Sequence, residues 1–410
     1  MRILWIKVGG LWPVNTGGRR RSFQILSELS RRHRVVLLTT RAPDEDPLPL
    51  SSALQECEAV HAVPYSIPRA GSARFAASLA RSWFTPYPVD LWKCRVRTLR
   101  DSAQQVLAPS RVDVCVADFL AAAPNLPAHP GTPVVLFEHN VEHQIWKRLC
   151  DNESSLLRRA LLAIEWRKMR RYEAAACARS RRTLAVSESD REALAAAAPG
   201  ADVRAVPTGV DTDYFAPQAI AERPRSLVFS GAMDWYPNED GILRFIETTL
   251  PLIRREEPEV SLTVVGRSPT PQLHAAAAGA GVRVTGTVDD VRPSIAEAEV
   301  AIVPLRIAGG TRLKIFEALA MGKPVVSTSI GAEGLPLESG RHLMVADEPA
   351  AFARAVVSLL RDPGKRRALG EAGRRLVEKK YSWAQVASRF ESLLEEAAGQ
   401  AHEQSRLRKI

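Results

Sequence analysis

The stretch Gly309–Ser327 reads GGTRLKIFEALAMGKPVVS, and its pattern places Arg312 and Lys314 in the first turn of a helix. Leu313, Phe316 and Ala320 recur at helical spacing and form an inward face, while Lys314 and Glu317, three apart, share another. Helix N-termini carry partial positive charge, so cations there are unfavourable unless something negative lies in front of them. Gly309 and Gly310 supply backbone freedom and exposed N–H groups, and Thr311 is a suitable N-cap. An anion at this terminus would meet those N–H groups, the helix dipole, Arg312 and Lys314. Glu317 would then accept hydrogen bonds from ribose hydroxyls. The combination points to a nucleoside diphosphate. A solvated charged turn built on two glycines is the plainer reading of the same residues. The spacing matches neither a P-loop nor a dinucleotide fingerprint.

Other chemistry-bearing residues lie in the first half of the chain. The loop GGLWPVNTGG runs into a helix that opens with Arg19, Arg20 and Arg21. Gly17 and Gly18 permit close approach of backbone to a ligand, or simply a sharp turn. The arginines face phosphate or solvent, with solvent favoured for at least one. FEHNVEH, residues 137–143, places His139 and Asn140 at the exit of an apolar strand. His143 follows at helical spacing, but no third ligand lies close in sequence, so a zinc site is rejected. Asp118 ends the run DVCVAD, where it either lines a site or caps a sheet edge. RSWFTPYPVDLW, residues 81–92, carries Trp83 and Tyr87; such aromatics stack on a sugar, cover an apolar ligand, or pack as a surface loop.

The elements that must hold these residues alternate. Ile3–Val8, RVVLLTT, DVCVAD and PVVLFEHN read as strands between helical segments, and continuous apolar runs of this kind mark a mostly parallel sheet covered on both faces. VPTGVDTDYFAP, residues 206–217, has the composition of a connector. A second alternating series follows, in which LVFSG, SLTVVG and VRVTG end at Gly231, Gly266 and Gly286. Glycines at successive strand ends suggest close approach of loops along one sheet edge. Two doubly wound α/β domains, divided near residue 210, and helices near 363–378 and 382–397 complete the reading. In such sheets ligands bind beyond the strand C-termini, where the Gly309 loop would lie. The basic helix around SLLRRALLAIEWRKMRRYE either packs its Leu and Ile side on the protein or lies on an anionic membrane.

The bulk numbers fit this picture. The 410 residues carry a net charge of +10, from 56 basic and 46 acidic residues. That excess favours anionic partners without choosing among them. The arginines are dispersed and aromatic stacking motifs are absent, which argues against nucleic acid. MRILWIKVGG reads as a buried first strand rather than a secretory signal. The five cysteines are scattered and odd in number, which suits reduced thiols in the cytoplasm.

On four segments the chain resembles the retaining glycosyltransferases of family 4, which have the two-domain GT-B fold. They are PVNTGGRRR, VPTGVDTDYFAP, LVFSGAMDWYPNEDG and GGTRLKIFEALAMGKPVVSTSIGAEGL, and the resemblance extends to the tail beginning YSW at Tyr381. The most similar members are bacterial proteins that build surface polysaccharides or glycosylate lipids and small molecules. The resemblance implies an α/β GT-B fold, with two Rossmann-like doubly wound domains facing across a cleft. Residues 1–208 would bind the acceptor and 209–380 the nucleotide-activated sugar. Residues 381–410 would form a helix packing back towards the first domain, with a frayed tail. It also implies transfer with retention, no metal, and no cofactor beyond the substrate itself, a UDP- or GDP-linked sugar. The acceptor is a saccharide, a lipid or a small molecule. The expected location is cytoplasmic, with peripheral contact at the inner face of the membrane compatible with the basic helix.

Carried over by position, Gly17 and Gly18 lie by the donor phosphate. Gly231, Gly309, Gly310, Thr311, Arg312, Leu313 and Lys314 line the donor site, with Glu317 on the ribose. His139 orients the transferring sugar and joins Arg312, Lys314 and Glu317 in the catalytic group. Asp118, Asn140, Trp83 and Tyr87 fall on the acceptor side. The chain departs from the family twice. The signature is a Glu, seven residues and a second Glu; the second is Glu317, but the first position holds Gly309. The loop SGAMDWYPNEDG also lacks the usual Arg and Lys that hold the diphosphate, and Arg312 and Lys314 are the candidates to replace them. Gly309 keeps an inactive nucleotide-binding scaffold open as an alternative, beside a nucleotide-sugar epimerase or hydrolase. A pyridoxal-dependent phosphorylase finds no matching lysine signature.

Overall fold

A computed structural model describes residues 1–108, 112–127, 130–307 and 313–407. Gly309, Gly310, Thr311 and Arg312 therefore lie outside the described residues. The chain divides into two units, Met1–Pro207 with Val386–Ile410, and Thr208–Gln385.

The first unit is built on β1 (Arg2–Lys7), β2 (Arg34–Arg41), β3 (Ala59–Pro64), β4 (Val114–Asp118), β5 (Val134–Phe137), β6 (Arg182–Ala185) and β7 (Val203–Ala205). They pair in the order β3-β2-β1-β4-β5-β6-β7, every neighbour parallel. Burial on both faces explains the unbroken apolar text: Ile3 to Ile6 expose no surface at all. The order reverses between β1 and β4, and there Lys7 and Asp118 stand in register as the last residues of their strands. A strand order that reverses in this way opens a crevice beyond the strand C-termini. The helix Gly17–Ser30 begins ahead of the arginine run expected to open it, because Thr16 caps it by accepting from the Arg19 N–H. The helix Trp383–Leu407 contributes Phe390, whose ring lies 5.6 Å from Trp5 and 4.9 Å from Phe137.

The second unit holds β8 (Ser226–Ser230), β9 (Ser261–Val265), β10 (Arg283–Val284), β11 (Val300–Val303), β12 (Val325–Ser327) and β13 (Met344–Val345). Their order is β10-β9-β8-β11-β12-β13, again parallel, with the reversal between β8 and β11. The glycines after β8 and β9 make the close approach that the strand endings foreshadow: a Cβ at Gly266 would run into the Gly231 carbonyl. Two motifs far apart in sequence meet in this unit. Val210 N–H donates to the Tyr381 carbonyl at 2.8 Å, and a Cβ at Gly209 would fall 2.5 Å from the Trp383 ring. Packing on the YSW segment thus accounts for the glycine in VPTGVD. All five cysteines are free thiols. No helix among the described residues is long and apolar enough to cross a membrane.

Candidate functional site

In the second unit the helix Leu313–Ala320 follows β11 and aims Lys314 at the end of β8. Lys314 Nζ donates to Asn238 Oδ1 at 2.6 Å and lies 4.2 Å from the centroid of the Phe229 ring. Asn238 is fixed in turn by donating Nδ2 to the Ala232 carbonyl at 2.8 Å. A Cβ at Gly231 would stand 2.8 Å from both Lys314 Nζ and Asn238 Nδ2, so glycine is what lets the ammonium reach the strand end. Burial pushes the Lys314 pKa down to about 7, against the opposing pull of Glu317 on the same helix face. An ammonium so placed is poised to gain full charge when an anion arrives. The expectation that Lys314 replaces the cations missing from SGAMDWYPNEDG has this geometric support. In the sequence Asn238 stands out only as a residue of the cation-free loop SGAMDWYPNEDG; its hold on Lys314 spans 76 positions. Sequence reasoning missed Arg267, directly after the glycine that ends β9, which pairs with Asp234 at 3.5 Å. Thr270, which caps the helix Pro271–Gly279, also donates its hydroxyl to Glu239.

In the first unit a buried polar group occupies the β1/β4 reversal. Asp118 Oδ2 accepts from Trp5 Nε1 at 3.0 Å and pairs with Lys7 Nζ at 3.2 Å. Asp118 Oδ1 lies 2.8 Å from His139 Nε2, off the axis of a linear hydrogen bond. Arg21 Nη1 is 3.1 Å from His139 Nδ1. A guanidinium only donates, so Nδ1 is the acceptor and the ring proton sits on Nε2, towards Asp118. Burial pushes the His139 pKa down to about 3; Asp118 works against this, while the Arg21 and Lys7 charges add to it. Burial alone would raise Asp118, but Lys7 and His139 hold its carboxyl well below the usual range. At neutral pH the imidazole is therefore neutral, with Nδ1 accepting from Arg21 and Nε2 facing the Asp118 carboxylate. It is a positioned ring rather than a free base.

Gly18 and Phe119 complete this group. Phe119 takes φ +69°, a conformation strained for any residue but glycine, and stacks on His139 with centroids 3.7 Å apart. Lys7 Nζ lies 4.2 Å from the Phe119 centroid and donates to Ser22 Oγ at 3.0 Å. A Cβ at Gly18 would fall 2.7 Å from the Phe119 ring, so the absent side chain makes room for Phe119 itself. The structure thus brings Gly18, Asp118 and His139 together. Asp118 has no exposed surface, which leaves it acting through His139 and Lys7. Gly17 is the first residue of the helix. Arg21 is buried in the group, and Arg19 clamps the preceding loop through the carbonyls of Gly9, Trp12 and Pro13. Asn140 is exposed and donates to Glu142 at 3.3 Å. Trp83 and Tyr87 part company: Trp83 is half exposed, while Tyr87 packs against Trp92 and Tyr172. His143 is engaged by Glu173, which also accepts from the Glu142 and His143 N–H groups at the start of their helix.

Glu138, next to His139, is buried with both carboxylate oxygens lacking a hydrogen-bond partner among the described residues. Burial, with Glu173 and Glu142 nearby, raises its pKa well above the ordinary value. A raised folded-state pKa gives stability that is complete below the unfolded value, about 4.5, and is lost as pH rises above it. Glu138→Gln removes that loss. It is expected to raise the melting temperature at neutral pH, with the gain vanishing near pH ~4; thermal denaturation at both pH values checks this.

Known proteins divide along the same lines. Residues 16–214 match the family model described as Glycosyltransferase Family 4, and residues 224–362 that described as Glycosyl transferases group 1. A phosphatidyl-myo-inositol mannosyltransferase of Mycobacterium leprae is 32% identical over 210 residues, 48% of this chain and 55% of its own. A GDP-mannose-dependent alpha-(1-6)-phosphatidylinositol monomannoside mannosyltransferase of Mycolicibacterium smegmatis is 30% identical over 236 residues, 51% of this chain and 60% of its own. The chain thus spans little more than half the length of these curated relatives. Among solved structures, sucrose-phosphate synthase from Thermosynechococcus elongatus aligns with a TM-score of 0.67 at 16% identity, covering 97% of this chain and 98% of that one. Anabaena HepE in complex with UDP gives 0.68 at 14% identity, covering 97% and 100%. These likenesses concern the fold, two parallel doubly wound sheets of the GT-B kind. With one family model matched in each unit, the chain belongs to the family 4-like glycosyltransferases of the GT-B fold.

Proposed function

We propose that the chain transfers a sugar from a nucleoside diphosphate sugar to an acceptor hydroxyl, with retention of configuration and without a metal ion. The observation that carries this is Lys314, held by Asn238 at the glycine-lined end of β8. A departing diphosphate gains charge as the glycosidic bond breaks, and an aimed cation stabilises that charge most where water is scarce. Glu317, on the same helix face, is assigned to the ribose. Of the two expected donors, the relative named as GDP-mannose-dependent favours the guanosine diphosphate one. The relatives named for phosphatidylinositol favour a polyol carried on a lipid as acceptor.

In this reading the acceptor oxygen attacks on the face from which the diphosphate leaves. The bond from the anomeric carbon to the phosphate oxygen breaks, the bond to the acceptor oxygen forms, and the departing phosphate takes the hydroxyl proton. His139 keeps a positioning role, because Arg21 holds Nδ1 and Nε2 is turned to the buried Asp118 carboxylate. Asn140 and Trp83 are the acceptor-side groups with exposed surface. The reaction is placed on the cytoplasmic side of a membrane.

Calorimetric titration with UDP, GDP, ADP and CMP, with chelator and then with magnesium, tests the donor half. Selective, metal-insensitive binding of GDP is expected. Absence of binding by every nucleotide would overturn the reading, and binding only with magnesium would overturn its metal independence. Proton NMR of the product from GDP-mannose and phosphatidylinositol then reports the anomeric configuration.

A further inference from the structure

We propose that the helical hairpin of the first unit, with the neighbouring Trp83–Phe84 corner, is a docking face for an anionic lipid bilayer. This rests on the surface itself and not on the donor reading. The helices Glu142–Asp151 and Leu156–Arg179 pack along each other. The N-terminal third of the longer helix projects from that contact, and every residue from Ser154 to Leu161 is exposed. Leu156 and Leu157 are 75% and 73% exposed, and Leu161 and Ile164 continue the stripe at helical spacing. Ile145 and Leu149 add exposed apolar surface from the shorter helix. The helix also holds the segment that carries Trp83 and Phe84. Lys168 Nζ donates to the Ser82 carbonyl at 2.7 Å, and the Val89 N–H donates to Glu165 at 2.6 Å. Phe84 at that corner is 91% exposed. Apolar side chains concentrated in this way mark an interaction surface rather than ordinary scatter.

The charges select the occupant. Both acids of the longer helix, Glu165 and Glu173, are buried and occupied by backbone N–H groups. Its exposed charges are all positive: Arg158, Arg159, Arg167, Arg170, Arg171 and Arg179. Arg81, next to Ser82 in the chain, lines a cavity of about 540 Å³ together with Arg74 and Arg95. A leucine-rich stripe flanked by arginines is the pattern that settles at an anionic headgroup boundary, apolar side down. A second copy of the chain suits this face poorly, because a two-fold contact would bring the same arginines together.

Sedimentation of the full chain with phosphatidylcholine vesicles, with and without phosphatidylglycerol, tests the proposal. Binding to the anionic vesicles alone, weakened by salt, is expected. Leu157→Glu with Leu161→Glu, and separately Arg158→Glu with Arg159→Glu, should each weaken it roughly tenfold or more. These positions are exposed, and an unchanged circular dichroism spectrum confirms the fold. Equal binding to neutral vesicles, no binding, or unaffected variants would overturn the proposal. So would a concentration-dependent dimer abolished by the leucine substitutions, which would give the face to a second copy. Nucleotide titration of the same preparations keeps this outcome separate from that of the donor site.

Discussion

Lys314→Ala is expected to weaken nucleoside diphosphate binding roughly 30- to 900-fold, the effect of about 2–4 kcal/mol for a desolvated charge contact. The size follows from the surroundings. The ammonium lies on the Phe229 ring and against Asn238, where water competes poorly for the anion. The variant should also change the pH dependence. In the empty site the Lys314 pKa is pushed down to about 7, and a bound diphosphate must raise it. Binding then takes up a proton, so wild-type affinity falls as pH rises above about 7, by up to tenfold per unit. In Lys314→Ala that part of the slope disappears. Isothermal titrations across this range check both statements, and an unchanged affinity would remove Lys314 from the donor site.

Asp118→Asn is expected to destabilise the protein by about 3–5 kcal/mol, because it leaves the Lys7 ammonium buried without its balancing carboxylate. That is a large share of an ordinary domain's stability. Two titrations set the acid side of the wild-type profile. The folded pKa of Asp118 lies below its unfolded value, so its contribution is present above about 4 and lost as pH falls through the folded pKa. His139 is depressed to about 3, so the unfolded chain takes up that proton first. Stability therefore falls as pH drops from about 6.5 towards 3. His139→Gln should flatten this window and leave the neutral-pH profile close to wild type. Urea denaturation at several pH values distinguishes the two variants.

What was legible in the sequence was local. Glycines closing successive strands announced a crowded sheet edge, and Gly231 and Gly266 make that contact. Runs without polar interruption announced parallel strands covered on both faces. What joins distant positions could not be read. Asp118 looked like either a site residue or a cap, because its partners Trp5 and Lys7 lie on another strand more than a hundred residues away. Gly18 suggested backbone approaching a ligand, whereas the group it admits is the Phe119 ring. The helix from Leu156 shows the limit of periodicity. Leucines at helical spacing left open a face packed on the protein and one lying on a membrane, because the pattern is the same for either apolar partner. The exposure of Leu156, Leu157, Leu161 and Ile164 shows that these side chains are not packed on the protein.

The chain's route has a consequence for its synthesis. The core of the first unit is not encoded in one stretch. Phe390 fills the space against Trp5 and Phe137, Glu391 bonds His33, and Glu396 pairs with the buried Arg182. A ribosome has therefore made the whole second unit before the first can close its core. The early sheet must persist through that interval with an open apolar face, and a fragment ending at Pro207 would never close it.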